Sequence, residues 1–264
     1  MGRGELCMIH ILTIHFKDNW VDIQREQLKK HMKCDYKVYT RLGENYDKHK
    51  HKFDGALDGK GHWTQSMSLL TRFIHENAKK DDIVLLLDSD AFPIADMNNF
   101  LQDKLETYPF VSCQEPEHEI DNTRKIPHPM FMSFKAKHIL EGDIEFYLSR
   151  ILDIHNTGTW WDGLIDWLKM NKYEYYPIER SNKVNLHPLY YGVYGDLIYH
   201  HWAGSRKMIT RPDRRRAAAT GLSLDAIANE NHKLSESVVE QIENQLDTFI
   251  DHLLGKYEGD YEEN

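Results

Sequence analysis

The sequence predicts an α/β protein whose sheet begins parallel and becomes mixed, flanked by helices and closed by a C-terminal helix. Three observations carry this. Within the first hundred residues, apolar runs of strand length alternate with segments of helical spacing. The run from Ile83 to Leu87 is apolar and largely branched, as a strand covered on both faces must be. Toward the C-terminus, Val238, Ile242, Leu246, Phe249 and Leu253 fall on one helical stripe.

Taken in order, "CMIHILTIHF" reads as a first strand. "NWVDIQREQLKKHM" reads as an amphipathic helix in which Trp20, Ile23 and Leu28 face the core and Lys29, Lys30 and Lys33 load the end. "YKVYT" is a second strand, and the Gly- and charge-rich "RLGENYDKHKHKFDGALDGKG" a long loop. "HWTQSMSLLTRFIHENA" has helical spacing at Trp63, Met67, Leu70 and Ile74 and leads into the strand from Ile83. Strand, helix, strand, helix, strand is the order of a parallel, Rossmann-like sheet. Beyond it come a helix in "DMNNFLQDKLE", a strand in "FVSCQE", a polar loop through Arg124, a strand in "HPMFMSF" and a helix near Lys135. A short helix follows in "TWWDGLIDWLKM", then tyrosine-rich strands in "YEYYPIE" and "LYYGVYGDLIYHHW", and a helix from Leu234 to Leu254 before an acidic tail. No linker divides the 264 residues, so a single domain is expected, with parts at about 8–105, 106–210 and 211–264.

The formal net charge of -9 excludes a broad nucleic-acid footprint. Cys7, Cys34 and Cys113 are odd in number and unlike a zinc pattern, which suggests reduced thiols. No apolar run approaches the ~18 residues of a membrane span, and the expectation is a soluble, cytoplasmic protein.

Chemistry is concentrated in "DDIVLLLDSDAFPI". Asp88 and Asp90 follow the buried strand one residue apart, so on an extended chain both carboxylates face one region while Ser89 faces the other. Two such charges roughly 4 Å apart repel by about 1 kcal/mol in water and about 4 kcal/mol at an effective dielectric near 20. A hard divalent cation, Mn2+ or Mg2+, with phosphate oxygens completing its shell, offsets that repulsion. The carboxyl end of a parallel strand is also where open α/β sheets bind ligands. The plain alternative is a pair of solvated loop carboxylates.

A second constellation stands in "YHHWAGSRK". A neutral imidazole of His200 or His201 is a ligand for Mn2+, Gly204 lets the backbone pass close to a ligand, and Arg206 or Lys207 can neutralise phosphate. With "LLLDSDAFP" placed after a strand-helix-strand unit, "HWAGSRK" makes the sequence resemble the nucleotide-sugar-dependent glycosyltransferases of the GT-A fold. It fits the His-x-x-Gly-x-x-Lys pattern of several retaining members, although Lys207 is followed by "MI" where Pro-Trp is often found. The organisation is similar from about residue 8 to 210.

The resemblance implies a nucleotide-binding half at about 8–105, an acceptor and metal half at 106–210, and a C-terminal extension. It implies that Asp90 binds the metal, that Asp88 binds it or the ribose, and that His201, which keeps the spacing to Gly204 and Lys207, adds a ligand. Thr13 to His15 would line the nucleoside pocket, with Ser89, Arg206 and Lys207 also on the donor and Lys207 stabilising the leaving diphosphate. UDP-sugars are the favoured donors, GDP-sugars the other. The acceptor is a hydroxyl on a glycan, protein or lipid-linked sugar; a nucleic-acid acceptor is not favoured.

"GTWWDGLIDW" offers Trp161 as a stacking face and Asp162 as an acceptor-binding group or general base, or else is a capped helix start with tryptophans in the core. A base at Asp162 implies inversion, whereas the His-x-x-Gly-x-x-Lys resemblance leans to retention. "HPMFMSF", with an exposed His128, is either an acceptor wall or a core strand. Lys48 to Lys52 either close over a diphosphate or are solvated, and "RPDRRR" is a basic segment that contacts an anionic acceptor or merely balances the acidic tail. The rival readings are a haloacid-dehalogenase-type phosphohydrolase, disfavoured because Phe92 and Pro93 follow the pair and no later paired-Asp strand end exists, and a non-catalytic sugar-nucleotide-binding module.

Overall fold

The structure, a computed structural model, describes residues 8–61, 63–114, 127–142, 144, 161–201 and 209–256. The chain divides into two compact units, Met1–Glu179 and Arg180–Asn264.

The first unit is built on a seven-stranded sheet in the order β3-β2-β1-β4-β7-β6-β8. Its strands are β1 (Ile9–His15), β2 (Tyr36–Leu42), β3 (Gly55–Asp58), β4 (Ile83–Asp88), β6 (Phe110–Gln114), β7 (Pro127–Lys135) and β8 (Tyr175–Ile178); β5 (Ala91–Pro93) is a short strand just past β4. β3, β2, β1 and β4 run parallel, and β7 runs antiparallel between β4 and β6. The expected mixed sheet is therefore present, and its change of direction falls immediately beside the strand that ends in Asp88.

The helices of this unit are α1 (Val21–His31), α2 (Tyr46–His49), α3 (Trp63–Asn77), α4 (Asn98–Thr107), α5 (Lys137–Leu140) and α6 (Trp161–Met170). One core cluster joins alternate residues of the central strands, Leu12, Ile14, Val84 and Leu86, to Met67, Leu70 and Ile74 of α3 and to Phe110, Phe134 and Trp167. This is the two-periodicity match that the sequence pattern requires, with every second strand residue meeting the i, i+3, i+7 stripe of a helix.

The segment expected as one long loop instead holds α2, a 3-10 turn at Lys50–Lys52 and the edge strand β3. β3 is only four residues long and opens with Gly55, where a Cβ would meet the Phe73 ring at 2.7 Å. Glycine there lets the edge strand close against β2 and α3, and its presence hid the strand from a propensity reading.

The second unit holds a β9 (Gly192–Tyr194) and β10 (Ile198–His200) hairpin and two helices, α7 (Arg211–Thr220) and α8 (Leu224–Leu253). The hairpin turns through Gly195 and Asp196, both left-handed (φ 58° and 55°), and Leu197 N donates to the Tyr194 carbonyl across the turn. The Arg180 guanidinium donates to the carbonyls of His187, Pro188 and Tyr190, fixing the approach to β9. α7 opens with a capping box in which Asp213 N donates to Thr210 Oγ1 and Thr210 N donates to Asp213 Oδ2. α8 begins ten residues before the expected Leu234, capped by Ser223, and is broken at Gln245 (φ -146°, ψ 49°). Across that break Val238, Ile242, Phe249 and Leu253 are buried, while Leu246 is only half-buried. No described helix is long and apolar enough to cross a membrane. Cys34 Sγ donates to Asn98 Oδ1, and Cys113 is buried.

Candidate functional site

β1 is buried along its whole length although it carries His10, Thr13 and His15. A central strand covered on both faces must satisfy such groups internally. His10 does so at the amino end, where Nε2 lies 3.2 Å from Asp82 Oδ2. His15 does so at the carboxyl end, one residue past the Ile14 that pairs with Asp88 of β4.

β4 ends at Asp88, and the chain turns through Ser89 and Asp90 before β5. Strict strand alternation therefore stops at Asp88, yet the carboxylates still converge: a ligand oxygen of Asp88 and one of Asp90 lie within 4.8 Å of each other. Both residues are half-buried.

The turn is held by Gln24, fully buried on α1. Its Nε2 donates to the carbonyls of Asp88 (2.7 Å) and Ala91 (2.8 Å), gripping the chain on either side of the acidic pair. Only an NH2 group can serve two carbonyls, so the amide oxygen faces His15 Nε2 at 3.0 Å, and that nitrogen must carry the proton. Burial lowers the His15 pKa to about 4, against the opposing effects of the Gln24 hydrogen bond and the nearby Asp90 charge. His15 is thus a neutral imidazole with its Nδ1 lone pair uncommitted.

Gln24 was invisible to the helical stripe reading, which counted Ile23 instead; Ile23 is half-exposed. His49 was likewise hidden inside the "KHKHK" run. It is buried, with Nε2 3.4 Å from Asp18 Oδ2. The lysines around it behave as a solvated surface: Lys48 pairs with Asp18, Lys50 with Asp47 and Lys52 with Asp22.

The remaining expected residues are distributed as follows. Thr13 is buried on the same face of β1 as His15, opposite Thr40 of β2. Ser89 sits in the turn between the two aspartates. His128, expected to be exposed, is buried on β7: its Nδ1 accepts from Met130 N (3.2 Å), and its carbonyl accepts from Ser112 Oγ (3.0 Å) at a bulge between β6 and β7. It braces that bulge, and its burial corrects the expectation that it is exposed.

His200 ends β10. His201 is fully buried, with Nδ1 2.9 Å from the Tyr199 hydroxyl and Nε2 3.2 Å from the Ser235 hydroxyl. Both ring nitrogens are engaged by hydroxyl groups, so a cation at His201 would have to displace one of them. Trp161 and Asp162 lie at the start of α6, and their side chains lie outside what is described. Gly204, Arg206 and Lys207 lie outside the described residues. Arg214, Arg215 and Arg216 of "RPDRRR" are exposed on α7, with Arg216 paired to Glu230.

No family model matches the chain, and no curated protein matches it. Among solved structures, the glycosyltransferase GlyE of Streptococcus pneumoniae TIGR4 is similar at 14% identity and a TM-score of 0.48 over 85% of this chain; the match spans 63% of the GlyE chain. The 4-diphosphocytidyl-2C-methyl-D-erythritol synthase of Anaerococcus prevotii DSM 20548 is similar at 14% identity and a TM-score of 0.44, over 81% of this chain and 97% of that one. The WbbM bifunctional glycosyltransferase is similar at 11% identity and a TM-score of 0.42, over 67% of this chain and 40% of that one.

Proposed function

We propose that the protein is a metal-dependent glycosyltransferase that moves a sugar from a nucleoside-diphosphate sugar, a UDP-sugar in preference to a GDP-sugar, to an acceptor hydroxyl. The observation that carries this reading is the convergence of the Asp88 and Asp90 carboxylates at the carboxyl end of a central parallel strand, with their turn gripped by buried Gln24. An all-oxygen pair of hard donors fits Mn2+ or Mg2+, and like charges held this close favour a cation between them. When bound, the cation neutralises the charge that grows on the leaving diphosphate.

In this reading Thr13 and His15 line the nucleoside and Ser89 lies against the donor. Arg206 and Lys207 add positive charge beside the diphosphate, and Trp161 and Asp162 receive the acceptor. The bond between the sugar's anomeric carbon and the diphosphate oxygen breaks, with its electron pair leaving on the diphosphate. The acceptor oxygen forms the new bond, and its proton passes to a phosphate oxygen of the leaving group, with the configuration retained. The acceptor is a glycan or another hydroxyl compound.

The test is release of nucleoside diphosphate from UDP- and GDP-sugars in Mn2+, Mg2+ or EDTA. Release that needs the metal and is lost in Asp90→Asn is expected. Orthophosphate release from a phosphomonoester in Mg2+, with no turnover of any sugar nucleotide, would overturn the reading in favour of the phosphohydrolase.

A further inference from the structure

The apolar face that the sheet turns to α3 ends in a charge. Across three adjacent parallel strands, Arg41 of β2, Ile14 of β1 and Asp88 of β4 stand in register, so their side chains leave the sheet on the face that α3 covers. Arg41 is only 9% exposed. Its Nη1 donates to Ser66 Oγ in the first turn of α3 (3.0 Å) and its Nη2 to the Lys60 carbonyl (3.0 Å), while Nε is buried without a hydrogen-bond partner. Both partners are neutral, and among the described residues no carboxylate pairs with this guanidinium.

That placement is doubly unfavourable for a cation left alone. A buried charge without a counter-charge carries a large desolvation cost. The amino end of the 15-residue α3 adds a partial positive charge and backbone N–H groups with no intrahelical acceptor, and no acidic residue stands in its first turn to offset either. Guanidinium and helix end together make an anion site. Glycines shape it: a Cβ at Gly61 would lie 2.5 Å from Arg41 Nη1, and one at Gly59 (φ 112°) 3.4 Å from Nη2, so the backbone lies flush against the guanidinium.

We propose that Arg41 and the amino end of α3 bind a carboxylate on the donor's sugar, which makes the donor a nucleoside-diphosphate hexuronate. This rests on the sugar-nucleotide reading above. The site stands at the carboxyl end of the parallel strands, where open α/β sheets bind ligands. Two strand spacings put the Cα atoms of Arg41 and Asp88 roughly 10 Å apart, the scale of one sugar and its phosphate linkage. The diphosphate already has the cation at Asp88 and Asp90 to neutralise it, so the anion left for Arg41 is on the sugar. The charge count selects a carboxylate: one guanidinium balances a monoanion, since neighbouring Lys60 is engaged with Glu44, whereas a phosphate monoester brings nearly two charges. The planar fork of donors also matches the two oxygens of a carboxylate.

The experiment is calorimetric titration, in Mn2+, of donors matched except that a carboxylate replaces the hydroxymethyl group: UDP-glucuronate against UDP-glucose, UDP-galacturonate against UDP-galactose and GDP-mannuronate against GDP-mannose, with UDP and GDP as references. In at least one pair the uronate is expected to bind about tenfold to a hundredfold more tightly, the worth of a hydrogen bond to a charged group. Arg41→Met is expected to equalise that pair, and Arg41→Lys, which keeps the charge and loses the fork, to recover only part of the difference. The comparison on the unaltered protein decides even where Arg41→Met does not fold.

Binding of UDP or GDP with no preference for the uronate in any pair would leave the proposed function standing and overturn this inference. A preference that survives in folded Arg41→Met would overturn it by placing the carboxylate elsewhere, and loss of UDP and GDP themselves in that variant would overturn it by assigning Arg41 to the diphosphate. Binding of no nucleotide and no sugar nucleotide would overturn both this inference and the function beneath it.

Discussion

Replacing Gln24 by Met keeps the volume of a fully buried side chain and removes its polar head. Three hydrogen bonds vanish, to the Asp88 carbonyl at 2.7 Å, the Ala91 carbonyl at 2.8 Å and His15 Nε2 at 3.0 Å. Each contributes about 1 kcal/mol net, and the abandoned partners are buried enough that the cost tends upward, so a loss of about 3 kcal/mol or more is expected. In thermal terms that is roughly 6–12 °C in Tm for a unit of this size. Urea unfolding gives the stability directly, and a parallel titration of Mn2+ with a nucleoside diphosphate reads the site. Weakened binding is expected even in Gln24→Met that is fully folded at the assay temperature, because the aspartate turn has lost its grip. Gln24→Glu should be worse, since a carboxylate would face two carbonyls. A Gln24→Met protein less than about 1 kcal/mol below wild type, with unchanged nucleotide binding, would refute the argument that this side chain holds the turn.

Stability should fall on mild acidification. Burial holds the pKa of His15 near 4 and also lowers those of His10 and His187. The folded state therefore binds fewer protons than the unfolded chain between the two sets of pKa values, and stability is complete above about pH 6.5 and declines below it. His15 alone accounts for about 3 kcal/mol between pH 6.5 and 4; a urea midpoint that stays flat over that range would contradict its neutrality. In the core, Phe110→Ala should cost about 3–5 kcal/mol, because the ring is fully buried against Phe134, Trp167 and Tyr175; a loss below 1 kcal/mol in urea unfolding would show that the site collapses around the gap.

The central strands and the acidic pair were legible in the sequence because they depend on local pattern. A strand buried on both faces must be apolar throughout, and charge at its end is then conspicuous. Gln24 was not legible because its partners are 64 and 67 residues away and become acceptors only once the chain turns after β4. A stripe count rates glutamine as solvent-facing, and only the converging carbonyls make its burial favourable. His49 was masked by the lysines around it, since one buried residue in a short helical turn leaves no periodic trace. The bonding of His201, one residue past β10, was not legible either. The Ser235 hydroxyl that engages His201 arrives from α8, 34 residues further on. β3 escaped because an edge strand of four residues that begins with glycine carries too little pattern to count.

The most direct test of the account is calorimetric titration of UDP and GDP into the protein with Mn2+ or with EDTA, repeated on an Asp88→Asn, Asp90→Asn double variant. The account predicts nucleotide binding that requires the metal and is abolished by the double substitution while the urea midpoint is kept or raised, since the repulsion between the two carboxylates has been removed. Metal-dependent nucleotide binding of undiminished affinity in the double variant would contradict it, and would move the cation site away from the end of β4.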